Sequence, residues 1–220
     1  MNDSNINNLS ELLASLKADN ISPDSYHIYI DRFLSFKARE KGIPYTGTFE
    51  LTPLCNLNCK MCYVHLTPEQ MQGRKLLSVE QWKNLMTQAK DAGMMRAKLT
   101  GGECLTYPGF DELYLHLHSM GVNVDVLTNG VLLDEKRISF FKKHPPRRIQ
   151  VTLYGSCEDA YEKVTGQREF SKVYSHVKAA AEADLPISLA ITPNGFMVED
   201  ALKLVDAAQK SGVKYIINAS

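Results

Sequence analysis

Apolar residues recur along the chain with two different periods, and the change of period divides it. Leu9, Leu12, Leu13 and Leu16 repeat at helical spacing, and a second helix is expected from Ser22-Pro23-Asp24 to near Gly42. Residues 1–45 therefore read as a helical N-terminal extension. From Thr46 onward, short apolar and β-branched runs alternate with amphipathic stretches. Strands are predicted over Thr46–Thr52, Arg96–Thr100, Val122–Leu127, Arg148–Tyr154, Ile187–Thr192 and Val213–Asn218. The first helix between them has Ser78 and Gln81 at capping-box spacing, a Val79, Trp82, Leu85, Met86, Ala89 stripe, and Gly93 as its stop. A second opens after Pro108 and closes at Gly121, and a third runs from Asp134 to Lys143 before Pro145-Pro146, whose rings cannot continue it. Two more are expected over Ser171–Asp184 and Glu199–Ser211.

Strands separated by crossover helices imply a parallel sheet, because parallel neighbours need a connection of a dozen or more residues. Residues 46–218 leave about 29 residues for each of six units, where a complete eight-unit barrel uses roughly 31 per unit. The predicted fold is α/β, a partial (β/α)6 TIM-like barrel of parallel strands over residues 46–220, preceded by the short helical extension. A doubly wound open sheet is the competing architecture, since periodicity does not separate the two. In both, ligands gather at the C-terminal ends of the strands.

Composition narrows the function classes. The 220 residues carry 25 Lys and Arg against 25 Asp and Glu, without the basic excess that a sequence-independent nucleic-acid binder uses against phosphates. No nucleic-acid partner is expected. No apolar run reaches the roughly 18 residues of a membrane span, and the polar N-terminus lacks a secretion signal, so a cytoplasmic protein without a membrane partner is expected. Of five cysteines, Cys55, Cys59 and Cys62 fall in one short segment, which favours metal chemistry over disulfides.

That segment reads Leu54-Cys55-Asn56-Leu57-Asn58-Cys59-Lys60-Met61-Cys62-Tyr63 and follows the first strand. Three thiolates in one loop are soft ligands suited to zinc or to an iron-sulfur cluster. A 4Fe-4S cube usually takes four cysteines, so three leave one iron open to another ligand. Two plainer readings stand beside this: inert thiols on one helix face, and a Cys3His zinc site completed by His65. After the second strand comes Gly101-Gly102-Glu103, whose glycines permit close backbone approach and whose carboxylate can hold a cation.

With these two motifs one unit apart, residues 46–218 resemble the radical S-adenosylmethionine (SAM) enzymes. Members of that family share a cysteine motif with three and then two intervening residues after strand one of a six-unit partial barrel, and a Gly-Gly-Glu after strand two. The resemblance implies that Cys55, Cys59 and Cys62 hold a 4Fe-4S cluster whose fourth iron chelates SAM, and that Met61 lies beside the adenine. It implies that Gly101, Gly102 and Glu103 bind the methionine, with Glu103 and the Gly102 carbonyl region receiving its ammonium. Asn129, in Thr128-Asn129-Gly130, and Ser156, in Tyr154-Gly155-Ser156, stand where relatives contact the methionine and ribose. The implied activity is that of an oxidoreductase, in which the reduced cluster cleaves SAM and the 5′-deoxyadenosyl radical takes hydrogen from a substrate.

The sequence also departs from the family. Cys104 at the cavity rim replaces a frequent proline, and no arginine follows strand four at the usual place for the SAM carboxylate, leaving Lys163 or Arg168. Cys104 and Cys157 are candidate hydrogen donors to a substrate radical. Cys62-Tyr63-Val64, Pro145-Pro146-Arg147-Arg148 and Thr152-Leu153-Tyr154-Gly155 are similar to members that modify peptides, which implies a peptide or protein substrate and an electron donor such as flavodoxin or ferredoxin. Those members carry a C-terminal region with auxiliary cluster ligands. Here no cysteine follows Cys157 and the chain stops two residues past the sixth strand, so a truncated C-terminus is expected. A glycyl-radical-enzyme activase is the alternative within the family, and a non-catalytic zinc- or cluster-binding scaffold the alternative outside it.

Overall fold

The computed structural model describes residues 8–64, 66–67, 69–191, 200–213 and 215–218. Its six strands, β1 (Thr46–Glu50), β2 (Arg96–Thr100), β3 (Asn123–Thr128), β4 (Arg148–Thr152), β5 (Ile187–Ile191) and β6 (Tyr215–Asn218), form one sheet in chain order. Each neighbouring pair is parallel, with Thr46 opposite Arg96, Arg96 opposite Asn123, Asp125 opposite Arg148, Ile149 opposite Ile187 and Ser188 opposite Tyr215. A doubly wound sheet reverses its strand order part-way, and this one does not. It is the open wall of a partial barrel, with β1 and β6 unpaired to each other among the described residues.

Eight helices accompany the described strands: α1 (Leu9–Ala18), α2 (Tyr26–Glu40), α3 (Val79–Asp91), α4 (Phe110–Ser119), α5 (Glu135–Lys143), α6 (Glu158–Thr165), α7 (Phe170–Glu182) and α8 (Ala201–Lys210). Local chemistry explains several starts. Both bonds of the capping box on α3 form, with Gln81 N donating to Ser78 Oγ at 3.2 Å and Ser78 N to Gln81 Oε1 at 2.9 Å. Asp134 caps α5 by accepting from Arg137 N at 2.9 Å. Apolar side chains of the central strands, such as Leu99, Val126, Val151 and Leu189, pack against Leu113 and Leu117 of α4, Phe141 of α5, Val173 and Val177 of α7 and Leu204 of α8.

The opposite face of the wall is polar. Lys98 and Thr100 on β2 and Gln150 and Thr152 on β4 alternate with buried Ala97, Leu99, Ile149 and Val151. Buried Asp125 of β3 stands in register with Lys98 and Arg148, and Arg147 Nε lies 2.9 Å from its Oδ1. The helical extension is tied to the strand starts, where Asp31 of α2 pairs with Arg96 and accepts from Tyr45 Oη at 2.9 Å. No helix among the described residues is long and apolar enough to cross a membrane.

Candidate active site

The cysteine loop leaves β1 at the C-terminal edge of the sheet and is held from two sides. On one side lies the Gly-Gly-Glu turn after β2: Gly102 N donates to Thr52 O at 2.6 Å and Glu103 N to Leu54 O at 2.9 Å. The approach is close enough that a Cβ on Gly102 would stand 2.4 Å from Leu54 O, and one on Gly101, whose φ is +151°, 2.4 Å from Thr52 O. Glycine is the only residue that fits both positions without moving the chain. On the other side lies α6, whose last-turn carbonyls have no partner within the helix. Thr165 O accepts from Asn58 N at 3.0 Å and Val164 O from Lys60 N at 2.9 Å, so the loop caps that helix.

Glu103 does not point into open space. Its side chain is 1% exposed, and it accepts from Leu105 N at 3.0 Å and Thr128 Oγ1 at 2.8 Å on one oxygen and from Asn129 N at 2.7 Å on the other. Asn129, also buried, spends its amide on the cysteine loop: Nδ2 donates to Asn56 Oδ1 at 2.7 Å and to Cys55 Sγ at 3.6 Å, while Oδ1 accepts from Val131 N at 3.0 Å. Leu57 N is a second donor to Cys55 Sγ, at 3.4 Å. The residues that the sequence singled out after β1, β2 and β3 thus form one hydrogen-bonded unit.

Burial dominates the electrostatics. It pushes the Cys55 thiol up against the lowering effect of the Leu57 and Asn129 donors, and it pushes Cys59 up to about 12, with the neighbouring Cys55 and Cys62 sulfurs adding to the rise. The Tyr154 hydroxyl hydrogen-bonds Cys59 and acts in the opposite direction. Burial likewise raises the Glu103 carboxyl, opposed by the Asn129, Leu105 and Thr128 donors. A metal held by the three sulfurs would reverse the thiol shifts, because it favours thiolates. Among the described residues, no group of three or more His, Cys, Asp and Glu side chains is already drawn into a metal-binding arrangement. An iron-sulfur cluster fits on its donor set: three soft thiols on one loop, none of them in a disulfide among the described residues, with N–H donors on Cys55 and a hydroxyl on Cys59. His65, offered above for zinc, lies outside the described residues.

Other predicted residues fall elsewhere. Cys104 is wholly buried and its thiol donates to Leu127 O at 3.2 Å, so it lies in the core and not at the rim. Cys157 is exposed at the start of α6, and Met61 is half-buried against the core edge. Exposed Arg168 pairs with Asp159 at 2.8 Å and Glu162 at 2.7 Å, which turns it toward the acidic side of α6, while Lys163 is exposed. Ser156 donates through both N and Oγ to the carboxylate of Asp200, which heads α8. Asp200 and α6 escaped the sequence reading. Glu158–Thr165 has only eight residues and the side chain of its N-cap Cys157 makes no capping bond among the described residues, though Gly166 at φ +73° was a legible stop.

Comparison with known proteins bears on the whole arrangement. Over 175 residues the chain is 27% identical to the PqqA peptide cyclase of Streptomyces rochei, covering 80% of this chain and 48% of that one. Over 174 residues it is 27% identical to the sporulation killing factor maturation protein SkfB of Bacillus subtilis, covering 77% and 41%. The chain thus spans less than half the length of these relatives. Among solved structures, Streptococcus suis SuiB bound to its precursor peptide SuiA superposes with a TM-score of 0.69 at 18% identity, covering 84% of this chain and 42% of that one, a likeness of fold. The model of the radical SAM superfamily matches residues 49–208, a span that holds both the cysteine loop and the glycine turn against which it is fastened. The chain belongs to the radical SAM superfamily.

Proposed function

We propose that the chain is the core of an enzyme that modifies a peptide or protein by abstracting a hydrogen atom, working in the cytoplasm with a flavodoxin or ferredoxin as electron donor. The observation that carries the reading is the fastening of a three-thiol loop to the Gly-Gly-Glu turn by main-chain bonds of 2.6 Å and 2.9 Å. Cys55, Cys59 and Cys62 would hold a 4Fe-4S cluster. That cluster and SAM, when bound, supply a one-electron cleavage that releases a hydrogen-abstracting carbon radical.

The residues of the chain bind and orient. Amides of Gly102 and Glu103 are taken by Thr52 and Leu54, so the Gly101-Gly102 edge offers carbonyl oxygens to the methionine ammonium. Glu103 adds carboxylate character close behind them while its own oxygens fasten the ends of β2 and β3. Met61 supplies an apolar surface for the adenine. Ser156 donates its proton to Asp200 and keeps lone pairs free for a ribose hydroxyl. The polar face carrying Lys98, Thr100, Gln150 and Thr152 is where a substrate would lie. Of the two cysteines outside the triad, exposed Cys157 is the one able to return a hydrogen atom to it.

Peptide substrates are supported by the names of the cyclase and the maturation protein among the relatives. The test is anaerobic turnover with SAM, dithionite and the small-peptide fraction of host cells grown on deuterated amino acids. Deuterium transferred into 5′-deoxyadenosine is expected. Turnover with that fraction that leaves 5′-deoxyadenosine unlabelled would overturn the peptide assignment.

A further inference from the structure

We propose that Asn129 is a positioning residue for the cluster, setting its reduction potential through the hydrogen bond from Nδ2 to Cys55 Sγ, with Glu103 holding Asn129 in place. The proposal rests on the reading that Cys55 is a ligand. Its geometry is a continuous relay: Glu103 Oε2 accepts from Asn129 N at 2.7 Å, and Asn129 Nδ2 donates to Cys55 Sγ at 3.6 Å and to Asn56 Oδ1 at 2.7 Å. Every polar atom of the Asn129 side chain is committed, Oδ1 to Val131 N, which leaves it one orientation. Both Asn129 and Glu103 are buried, so water does not compete for these bonds. A hydrogen bond donated to a ligating thiolate draws charge from the sulfur and stabilises the more negative, reduced cluster. Removing it shifts the potential downward.

The same contacts indicate which substitutions isolate this effect. Val131 N and Asn129 Oδ1 close a turn between residues i and i+2 that serine or aspartate also supports. Asn129→Ser keeps the turn, and its short hydroxyl stops before the sulfur. Asn129→Asp keeps the turn and replaces the donor by an acceptor. Asn56→Ala cuts the shorter tether to the loop and leaves the bond from Nδ2 to Cys55 Sγ in place.

The experiment is an anaerobic redox titration of the reconstituted chain, followed by visible bleaching and electron paramagnetic resonance, with iron and sulfide counted for each variant. Asn129→Ser is expected to load iron like the wild type and to show a more negative midpoint potential. Asn129→Asp should fall further, and Asn56→Ala should show no negative shift. An unchanged potential in Asn129→Ser, an equal negative shift in Asn56→Ala, or loss of iron loading or folding in Asn129→Ser would each overturn the proposal, the last two because Asn129 would then serve only to hold the loop. A wild-type chain that takes up no iron would overturn the cluster reading itself, an outcome distinct from the others.

Discussion

Replacing Glu103 by alanine removes the acceptor of two buried main-chain amides, Leu105 N and Asn129 N, and of the Thr128 hydroxyl. A buried donor left without a partner costs about 1–3 kcal/mol, so the two amides alone amount to roughly 2–6 kcal/mol. Part of this is returned, because burial disfavours the charged carboxylate and that penalty disappears with it. A net loss of about 2–4 kcal/mol is expected. Glu103→Gln should lose less. Its amide can present oxygen to only one side of the site, so in either orientation one amide stays orphaned, at about 1–3 kcal/mol. The assay is equilibrium urea unfolding of the metal-free chain, followed by far-ultraviolet circular dichroism and by the fluorescence of its single tryptophan, Trp82, which packs edge-on against Phe49. At a slope of roughly 2 kcal/mol per molar urea, the Glu103→Ala midpoint should fall by about 1–2 M. A loss below about 1 kcal/mol would refute the argument that this carboxylate fastens β2 to β3.

Three other outcomes follow from individual contacts. Gly102→Ala puts a Cβ 2.4 Å from Leu54 O, which must push the glycine turn and the cysteine loop apart; a stability loss of about 1–3 kcal/mol and reduced iron uptake on reconstitution are expected, measured by thermal unfolding and iron content. Tyr161 carries a fully buried hydroxyl without a hydrogen-bond partner among the described residues, so Tyr161→Phe should stabilise the chain by about 1 kcal/mol in urea unfolding, and a loss of that size would contradict it. In the native metal-free chain, iodoacetamide should modify exposed Cys62 and Cys157 early and buried Cys104 only after unfolding, read by peptide mass spectrometry.

The parts of the fold set by near neighbours in sequence were legible. Ser78 and Gln81 announced α3, and the apolar and polar alternation of β2 fell on Arg96–Thr100 in the structure as in the sequence. Strand order was not legible, because pairing Arg96 with Asn123 and Asp125 with Arg148 is non-local, and it is that order which excludes the doubly wound sheet. Within the site, cysteine spacing and the glycine pair gave away the loop and its neighbour. The working direction of Glu103 stayed hidden. Whether the carboxylate faces a ligand or the protein depends on Thr128 and Asn129, which lie 25 and 26 residues further along the chain. The same holds for the support under Asn58 and Lys60, since the apolar residues of α6, Ala160, Tyr161 and Val164, cover barely one turn, too little to announce a helix.

The central claim, that Cys55, Cys59 and Cys62 hold a cluster that cleaves SAM, is tested most directly by anaerobic reconstitution followed by assay of 5′-deoxyadenosine with dithionite and SAM. About four irons and four sulfides per chain, with 5′-deoxyadenosine formed by the wild type and not by Cys55→Ala, is the predicted result. A colourless protein carrying one zinc, or a fully loaded cluster with no cleavage of SAM, would contradict it.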